Sequence, residues 1–237
     1  MKPSLPIHRL KRKARTLRRE EGIPWHAALD RVAGEQGYRS WSLFMARRPA
    51  EGPAAGLLAR LDPGDLVLLG GRPGQGKTLM SLALAVEAMK AGRRGVFFSL
   101  EYTQKDIVER LRVIGADPAQ FAELFEFDGS DAIGADYIVA TLASAPRGTL
   151  VVVDYLQLLD QKRNKPELAL QLRVLKSFAR ERGLILVCLS QIDRSFDLSG
   201  KPFPGLDDVR LPNPLDLTLF DKACFVNRGE VRFGAAA

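Results

Sequence analysis

The sequence lacks any long apolar run and contains only two cysteines among its 237 residues. No stretch approaches the roughly 20 apolar residues that a membrane-spanning helix needs, and the charged N-terminus lacks the apolar centre of a secretory signal peptide. We therefore expect a cytoplasmic protein. Cys188 and Cys224 stand in apolar runs without the spacing of metal ligands, so we expect two buried thiols rather than a disulfide framework.

Acidic residues are scarce near the N-terminus, where the first 50 positions hold twelve basic and four acidic side chains. The remaining positions hold 23 basic and 24 acidic side chains, so the net charge of +7 comes from the N-terminal segment. A run of basic residues without any acid, between positions 9 and 19, is typical of nucleic-acid binding. The alternative is a solvated helix face, because Ile7, Leu10, Ala14 and Leu17 recur at helical spacing. The candidate DNA contacts are Arg9, Lys11, Arg12, Lys13 and Arg15.

Helix signals divide residues 1–47 into three short helices, which form a small basic module. Ser4 and Pro6 open the first helix, Pro24 marks the start of the second, which ends near Gly37, and Ser40 can cap the third. Residues 48–56 contain two prolines and two glycines. This composition predicts a linker, followed by one larger domain over residues 57–237.

Residues 57–237 alternate short apolar runs with helical stretches. We expect strands at 66–69, 95–99, 150–153 and 184–189, and helices at 79–91, 104–113 and 168–182. This order predicts an α/β fold with a mostly parallel sheet flanked by helices. Ligands of such sheets gather at the carboxyl ends of the strands, where Glu101, Asp154 and Gln191 stand.

Residues 71–78 match the phosphate-binding loop (P-loop) pattern G-x-x-x-x-G-K-[ST] between a predicted strand and a predicted helix. Backbone N–H groups of such a loop face the phosphates, Lys77 supplies a positive charge for the β- and γ-phosphates, and the Thr78 hydroxyl can bind Mg²⁺. A glycine-rich turn without function is the alternative, which the presence of every fixed position disfavours. The predicted nucleotide-binding residues are Gly71, Arg72, Pro73, Gly74, Gln75, Gly76, Lys77 and Thr78.

Each polar strand end has a functional and a structural interpretation. Asp154 can hold Mg²⁺ beside Thr78, or it can cap the segment that follows. Glu101 can polarise the water that attacks the γ-phosphate, or it can be the N-terminal acid of a helix. Gln191 can bind the γ-phosphate and report its loss, or it can be a structural amide.

Four segments in order resemble the RecA-like motor domain of the DnaB-type replicative helicases. They are the P-loop, Phe97-Phe98-Ser99-Leu100-Glu101, Val153-Asp154-Tyr155-Leu156-Gln157-Leu158 and Leu189-Ser190-Gln191-Ile192-Asp193-Arg194. The sequences Asp-Tyr-Leu-Gln-Leu and Ser-Gln-x-x-Arg are more specific than the P-loop. The resemblance runs from about residue 57 to residue 228, three quarters of the chain.

The resemblance implies an ATP hydrolase that uses Mg²⁺. Glu101 would be the catalytic base, Lys77 would bind the phosphates, Thr78 and Asp154 would hold the metal, and Gln191 would sense the γ-phosphate. It also implies single-stranded DNA as a partner, a homo-oligomer (a hexamer in the family), and contacts with replication or repair proteins. The basic residues that match the DNA-facing loops are Lys162, Arg163, Lys165, Arg194 and Lys201.

The sequence departs from the family at both ends. The helical domain that precedes the motor is absent, and the basic module stands in its place. The strand pair that carries the Lys-x-Arg finger is shortened, which leaves Arg228 and Arg232 as possible arginine fingers.

Several functions therefore stay open. The first is a helicase or translocase-type ATPase, and the alternative is an ATP-controlled DNA-binding, helicase-loading or regulatory protein with little unwinding activity. A circadian or recombination-type RecA relative is a third class. A small-metabolite phosphotransferase is disfavoured because no lid segment is recognisable.

Overall fold

The computed structural model describes residues 7–47, 52–156, 159, 167–210 and 215–234, with the backbone alone described at 7–9 and 45–47. Contacts divide the chain into two compact units, residues 1–60 and 61–237. None of the helices in these described ranges is long and apolar enough to cross a membrane.

The first unit is helical. Its helices are α1 (Ile7–Glu21), α2 (Trp25–Glu35), α3 (Trp41–Arg47) and α4 (Pro53–Leu58). Leu10 and Ala14 of α1 are buried against Ala28 and Val32 of α2, as the helical spacing predicts. The backbone N–H of Leu43 donates to Ser40 Oγ at 3.2 Å, so the expected cap of the third helix is confirmed. Ser4 and Pro6 lie outside the described residues.

The expected linker is only partly described, because residues 48–51 lie outside the described ranges. From Gly52 the chain enters α4, with Pro53 in the first turn. Proline suits that position because its fixed φ is helical and its missing N–H has no intrahelical partner there. The described part of the segment is thus helical, the contact boundary falls after residue 60, and the linker stays a prediction.

The second unit is an α/β layer structure. Within the described residues a seven-stranded sheet has the order β3-β2-β4-β5-β1-β6-β7, parallel except for β7. The strands are β1 (Leu66–Gly71), β2 (Gly95–Ser99), β3 (Phe125–Asp128), β4 (Leu150–Asp154), β5 (Ile185–Gln191), β6 (Lys222–Asn227) and β7 (Glu230–Phe233). The α-helices described in this unit are α5 (Lys77–Lys90), α6 (Gln104–Val113), α7 (Ala135–Thr141) and α8 (Leu168–Arg182). The predicted fold class is confirmed.

Two elements of the second unit, β3 and α7, are not predicted from the sequence. Strand β3 has four half-buried residues that alternate aromatic and acidic side chains, so it lacks the continuous apolar run of a central strand. Helix α7 has only seven residues, too few to show a clear helical period. Strand β5 also extends to Gln191, beyond the predicted end at 189, which places this side chain on the sheet rather than in a loop.

The strand order sets up the candidate site. Strand β5 lies between β4 and β1, and β2 lies on the other side of β4. Gly71 pairs with Gln191, and Ser99 pairs with Asp154, at the carboxyl ends of these parallel strands. The four predicted site segments therefore meet along one edge of the sheet.

Candidate nucleotide site

The P-loop joins β1 to α5 through backbone conformations that need glycine. Gly76 has φ of 92° and precedes the first residue of α5. A Cβ on Gly71 would lie 2.9 Å from the Val226 carbonyl oxygen, so a side chain does not fit there. The loop therefore leads directly into a helix N-terminus, where free N–H groups and the helix dipole favour phosphate.

Thr78 and Asp154 meet beside the P-loop. Thr78 Oγ1 donates to Asp154 Oδ2 at 3.0 Å, and Asp154 is 2% exposed. Burial raises the pKa of Asp154 to about 6, against the opposing effect of the Thr78 hydrogen bond. Burial also lowers the pKa of the Lys77 ammonium, although Asp154 and Glu101 oppose this shift. Such perturbed groups gathered in one cleft are typical of ligand sites.

A cavity of about 620 Å³ brings the predicted catalytic and metal residues together. Its lining includes Lys77, Thr78, Glu101, Asp154 and Gln191, together with the P-loop residues Pro73, Gly74 and Gly76. The cavity thus lies where the segments that follow β1, β2, β4 and β5 meet, as the sequence predicts. The roles of these residues stay predictions.

Glu101 stands before α6 rather than in it. Its backbone N–H donates to Ser99 Oγ at 3.1 Å, and the residue is exposed at the cavity. Thr103 and Asp106 form the capping box of α6. Asp106, and not Glu101, is therefore the acidic residue in the first turn of α6.

Arg110 of α6 also lines the cavity, although no sequence motif points to this residue. Its guanidinium carbon lies 4.1 Å from the centroid of the Tyr102 ring, and its Nη1 donates to the Asp106 carbonyl at 3.2 Å. These contacts hold a cation inside the site. The buried Ile107 and Leu111 show which side of α6 packs inward, but only the sheet order shows that the next face borders the nucleotide site.

Three predicted P-loop residues do not line this cavity, namely Gly71, Arg72 and Gln75. Arg72 and Gln75 border a second cavity of about 380 Å³. Gln75 Oε1 accepts a hydrogen bond of 2.7 Å from the Arg228 backbone N–H. The described P-loop thus has two sides, one facing the candidate catalytic groups and one facing neighbouring loops.

The basic residues of α1 lie on its exposed side. Lys11, Arg12 and Arg15 are exposed, whereas Lys13 pairs with Glu35 at 2.6 Å. The Arg9 side chain lies outside the described part of the chain. A nucleic acid could reach the α1 face, and this contact stays a prediction.

The loop after β5 places acidic residues beside the two candidate DNA contacts. Residues 193–208 contain four aspartates but only Arg194 and Lys201 as basic residues. Lys201 Nζ lies 2.9 Å from Asp208 Oδ1, while Arg194 is exposed. The DNA contacts of Arg194 and Lys201 stay predictions. Lys162, Arg163 and Lys165 lie outside the described residues.

The two possible arginine fingers lie on the β6–β7 hairpin. Arg228 occupies its turn with φ of 50°, a conformation that is uncommon for a residue with a side chain. Arg232 pairs with Glu230 at 2.9 Å, and its guanidinium carbon lies 4.6 Å from the Phe203 ring centroid. Arg232 is thus engaged within its own chain, and the finger stays a prediction.

A family model described as "ATPase: KaiC" matches residues 57–206, which is more than half of the chain. The chain belongs to the KaiC ATPase family. The matched range begins before β1 and includes the P-loop, Glu101, Asp154 and Gln191.

Curated relatives of this KaiC-family chain carry helicase names. It is 28% identical over 200 residues to a "Probable plasmid replicative DNA helicase" of Chlamydia trachomatis, covering 72% of this chain and 44% of that protein. It is 29% identical over 181 residues to "Replicative DNA helicase DnaB" of Synechocystis sp., covering 63% of this chain and 21% of that protein. The chain thus spans less than half the length of these relatives. The resemblance to DnaB-type helicases is confirmed.

Solved structures show the same fold. A DnaB-like replicative helicase, solved in a study of its interactions with primase, has a TM-score of 0.62 at 20% identity, covering 92% of this chain and 66% of that chain. A KaiC-like protein from Pyrococcus horikoshii OT3 has a TM-score of 0.54 at 18% identity, covering 76% of this chain and 79% of that chain. The RecA-like P-loop ATPase fold is therefore confirmed.

Proposed function

We propose that the protein is a Mg²⁺-dependent ATPase of the DnaB type that acts on DNA in the cytoplasm. The observation that carries this proposal is the single cavity lined by Lys77, Thr78, Glu101, Asp154 and Gln191. Lys77 and Thr78 begin α5, whereas Glu101, Asp154 and Gln191 stand at or just after the ends of β2, β4 and β5. Each side chain has the chemistry that one part of phosphoryl transfer needs.

The residues present fit Mg²⁺. The Thr78 hydroxyl and the Asp154 carboxylate are hard oxygen ligands 3.0 Å apart, and Mg²⁺ is usually bound by one or two carboxylates together with waters and substrate phosphates. The described residues contain no group of three or more His, Cys, Asp or Glu side chains that could hold a metal ion. Because Thr78 and Asp154 supply only two oxygen ligands, we infer that the ion binds together with the nucleotide. When bound, it would neutralise charge on the β- and γ-phosphate oxygens.

The protein side chains divide the remaining work. Lys77 Nζ donates to the Arg72 carbonyl at 3.3 Å and exchanges this bond for phosphate contact when nucleotide binds. Glu101, exposed at the cavity, orients the attacking water and accepts its proton. Gln191 presents an amide to the γ-phosphate from the end of β5.

DNA is the proposed partner, in single-stranded form as in the family. The exposed basic face of α1 supports this proposal, because sequence-independent binding to phosphates relies on such charge. The names of the relatives, which include replicative DNA helicases, point the same way. We extend the proposal to a homo-oligomer and to replication proteins as partners.

A second candidate is an ATP-controlled DNA-binding or regulatory protein with little unwinding activity. The contacts of Arg232 with Glu230 and Phe203 favour it, because a finger residue must reach a neighbouring subunit. A strand-displacement assay separates the candidates: the helicase should displace a strand with ATP, whereas the regulator should bind DNA and hydrolyse ATP without displacement.

The catalytic assignment is tested by Glu101→Gln, with Glu109→Gln as the matched control. Both glutamates are exposed and line the cavity. Glu101→Gln should bind a fluorescent ATP analogue as the wild type does but lose about 10²-fold or more in turnover, since it removes only the base. Glu109→Gln should stay close to wild type, and Lys77→Ala should lose binding or turnover. Wild-type turnover by Glu101→Gln would show that another group is the base.

A further inference from the structure

Arg72 ties the P-loop to the segment that follows β5. Its Nε donates to Asp197 Oδ1 at 3.2 Å and to Oδ2 at 3.0 Å, and its Nη2 lies 2.8 Å from Asp197 Oδ2. Its Nη1 donates to the Ile192 carbonyl at 3.1 Å. A guanidinium that engages a carboxylate in this bidentate way fixes direction as well as distance. The P-loop is thus bound both to Ile192 and to Asp197, which lies in the short 3-10 helix Arg194–Leu198.

The backbone of the same residue faces the nucleotide site. The Arg72 carbonyl accepts the hydrogen bond from Lys77 Nζ, and a bound triphosphate would draw that ammonium toward its β- and γ-phosphates. Nucleotide binding therefore changes one contact of Arg72 while its guanidinium still holds Asp197. Arg72 thus contacts the nucleotide site through its carbonyl and the segment after β5 through its guanidinium.

Residues 192–209 form a segment whose two ends are joined. An antiparallel bridge between Ile192 and Val209 closes the two ends of the segment. Inside it, Lys201 binds Asp208, which is 7% exposed. Because the two ends are bridged, we expect a displacement at Asp197 to reach both ends of the segment.

We propose that the Arg72–Asp197 ion pair couples nucleotide occupancy of the P-loop to the position of residues 192–209. Arg72 is a positioning residue in this role, because it acts through Asp197 and Ile192. The segment contains Arg194 and Lys201, two of the candidate DNA contacts, so the pair would link the nucleotide state to that surface. The inference rests on the proposed ATP binding.

Hydrogen exchange of residues 192–209 tests this coupling in the full chain. It is measured with and without Mg²⁺ and a non-hydrolysable ATP analogue, for wild type, Asp197→Asn and the control Asp207→Asn. Asp207 is an exposed acid of the same segment that forms no ion pair among the described residues. We expect the analogue to change the exchange rate of this segment about fivefold in wild type and in Asp207→Asn. A change of this size corresponds to the free energy that one partly exposed ion pair contributes. Asp197→Asn should lose this response and bind the analogue with near wild-type affinity.

Arg72→Lys provides an independent variant, because lysine keeps the charge but lacks the planar fork. It should reproduce the loss of response, and the double variant should lose no more than either single variant. A wild-type response in Asp197→Asn, with normal analogue binding, would overturn the inference and leave the proposed ATPase intact. Failure of the wild type to bind the analogue in the same titration would instead overturn the proposed function and the inference with it.

Discussion

Replacing Asp154 by asparagine should make the nucleotide-free protein more stable while it abolishes ATP turnover. The carboxyl is 2% exposed, and burial raises its pKa from 3.8 to about 6. At 1.36 kcal/mol per pH unit, ionising it in the folded protein costs about 3 kcal/mol at pH 7. Asparagine keeps an oxygen for the Thr78 hydroxyl but adds an N–H₂ group that needs acceptors, so we expect a net gain of about 1–3 kcal/mol.

The sign of the pH dependence follows from the same shift. Between pH 3.8 and about 6 the folded protein binds more protons at Asp154 than the unfolded chain does. The wild type therefore loses stability as the pH rises through this window, and the full cost is present above about pH 6. The advantage of Asp154→Asn should be largest at pH 7 and should vanish below pH 3.8.

Urea unfolding without Mg²⁺ or nucleotide measures this difference. Both tryptophans, Trp25 and Trp41, lie in the first unit, so their fluorescence follows that unit, whereas far-UV circular dichroism is dominated by the larger one. Asp154→Asn should move the dichroism transition to higher urea and leave the fluorescence transition in place, and the exposed Asp207→Asn should move neither. Equal or lower stability of Asp154→Asn at pH 7, or an advantage that does not change with pH, would refute the reasoning.

Two further predictions concern DNA. Gln191→Ala should leave nucleotide affinity near wild type but reduce the stimulation of ATPase by single-stranded DNA, because its amide distinguishes triphosphate from diphosphate; the exposed Gln120→Ala is the control, and equal stimulation in both would remove Gln191 from the coupling. Replacing Lys11, Arg12 and Arg15 together by glutamine should reduce the slope of log affinity against log salt by about 0.7–0.9 for each lost phosphate contact, measured by fluorescence anisotropy. ATP binding should stay unchanged, and an unaltered salt slope would make α1 a protein-docking helix instead.

The candidate site could be predicted from sequence where the signal is local. The P-loop carries its own spacing, and Asp154 and Gln191 end apolar strands, so the parallel sheet brings them together without further information. Arg110 and the Arg72–Asp197 pair could not be predicted in this way. Their partners depend on which face of α6 borders the cavity and on the path of a loop 125 residues further along the chain.

The charge of the loop after β5 shows a related limit. The resemblance to DnaB-type helicases directs attention to Arg194 and Lys201, but Asp197 and Asp208 bind cations of this chain, Arg72 and Lys201. A basic residue counts toward a DNA surface only when its charge is not already neutralised. The sequence locates the loop, but only the fold shows which of its basic side chains are free of an ion pair and can bind DNA.

Because the ends of residues 192–209 are bridged, this loop is a favourable site for inserting a short peptide. Leu198 is 91% exposed, and Ser199 and Gly200 beside it are exposed as well. The bridge between Ile192 and Val209 fixes the base of the segment whatever the length of its tip, and doubling a flexible loop costs only about 0.6 kcal/mol in closure entropy. A short tetracysteine or epitope sequence inserted after Ser199 should therefore leave β5 undisturbed and give the protein a label within a few residues of Asp197.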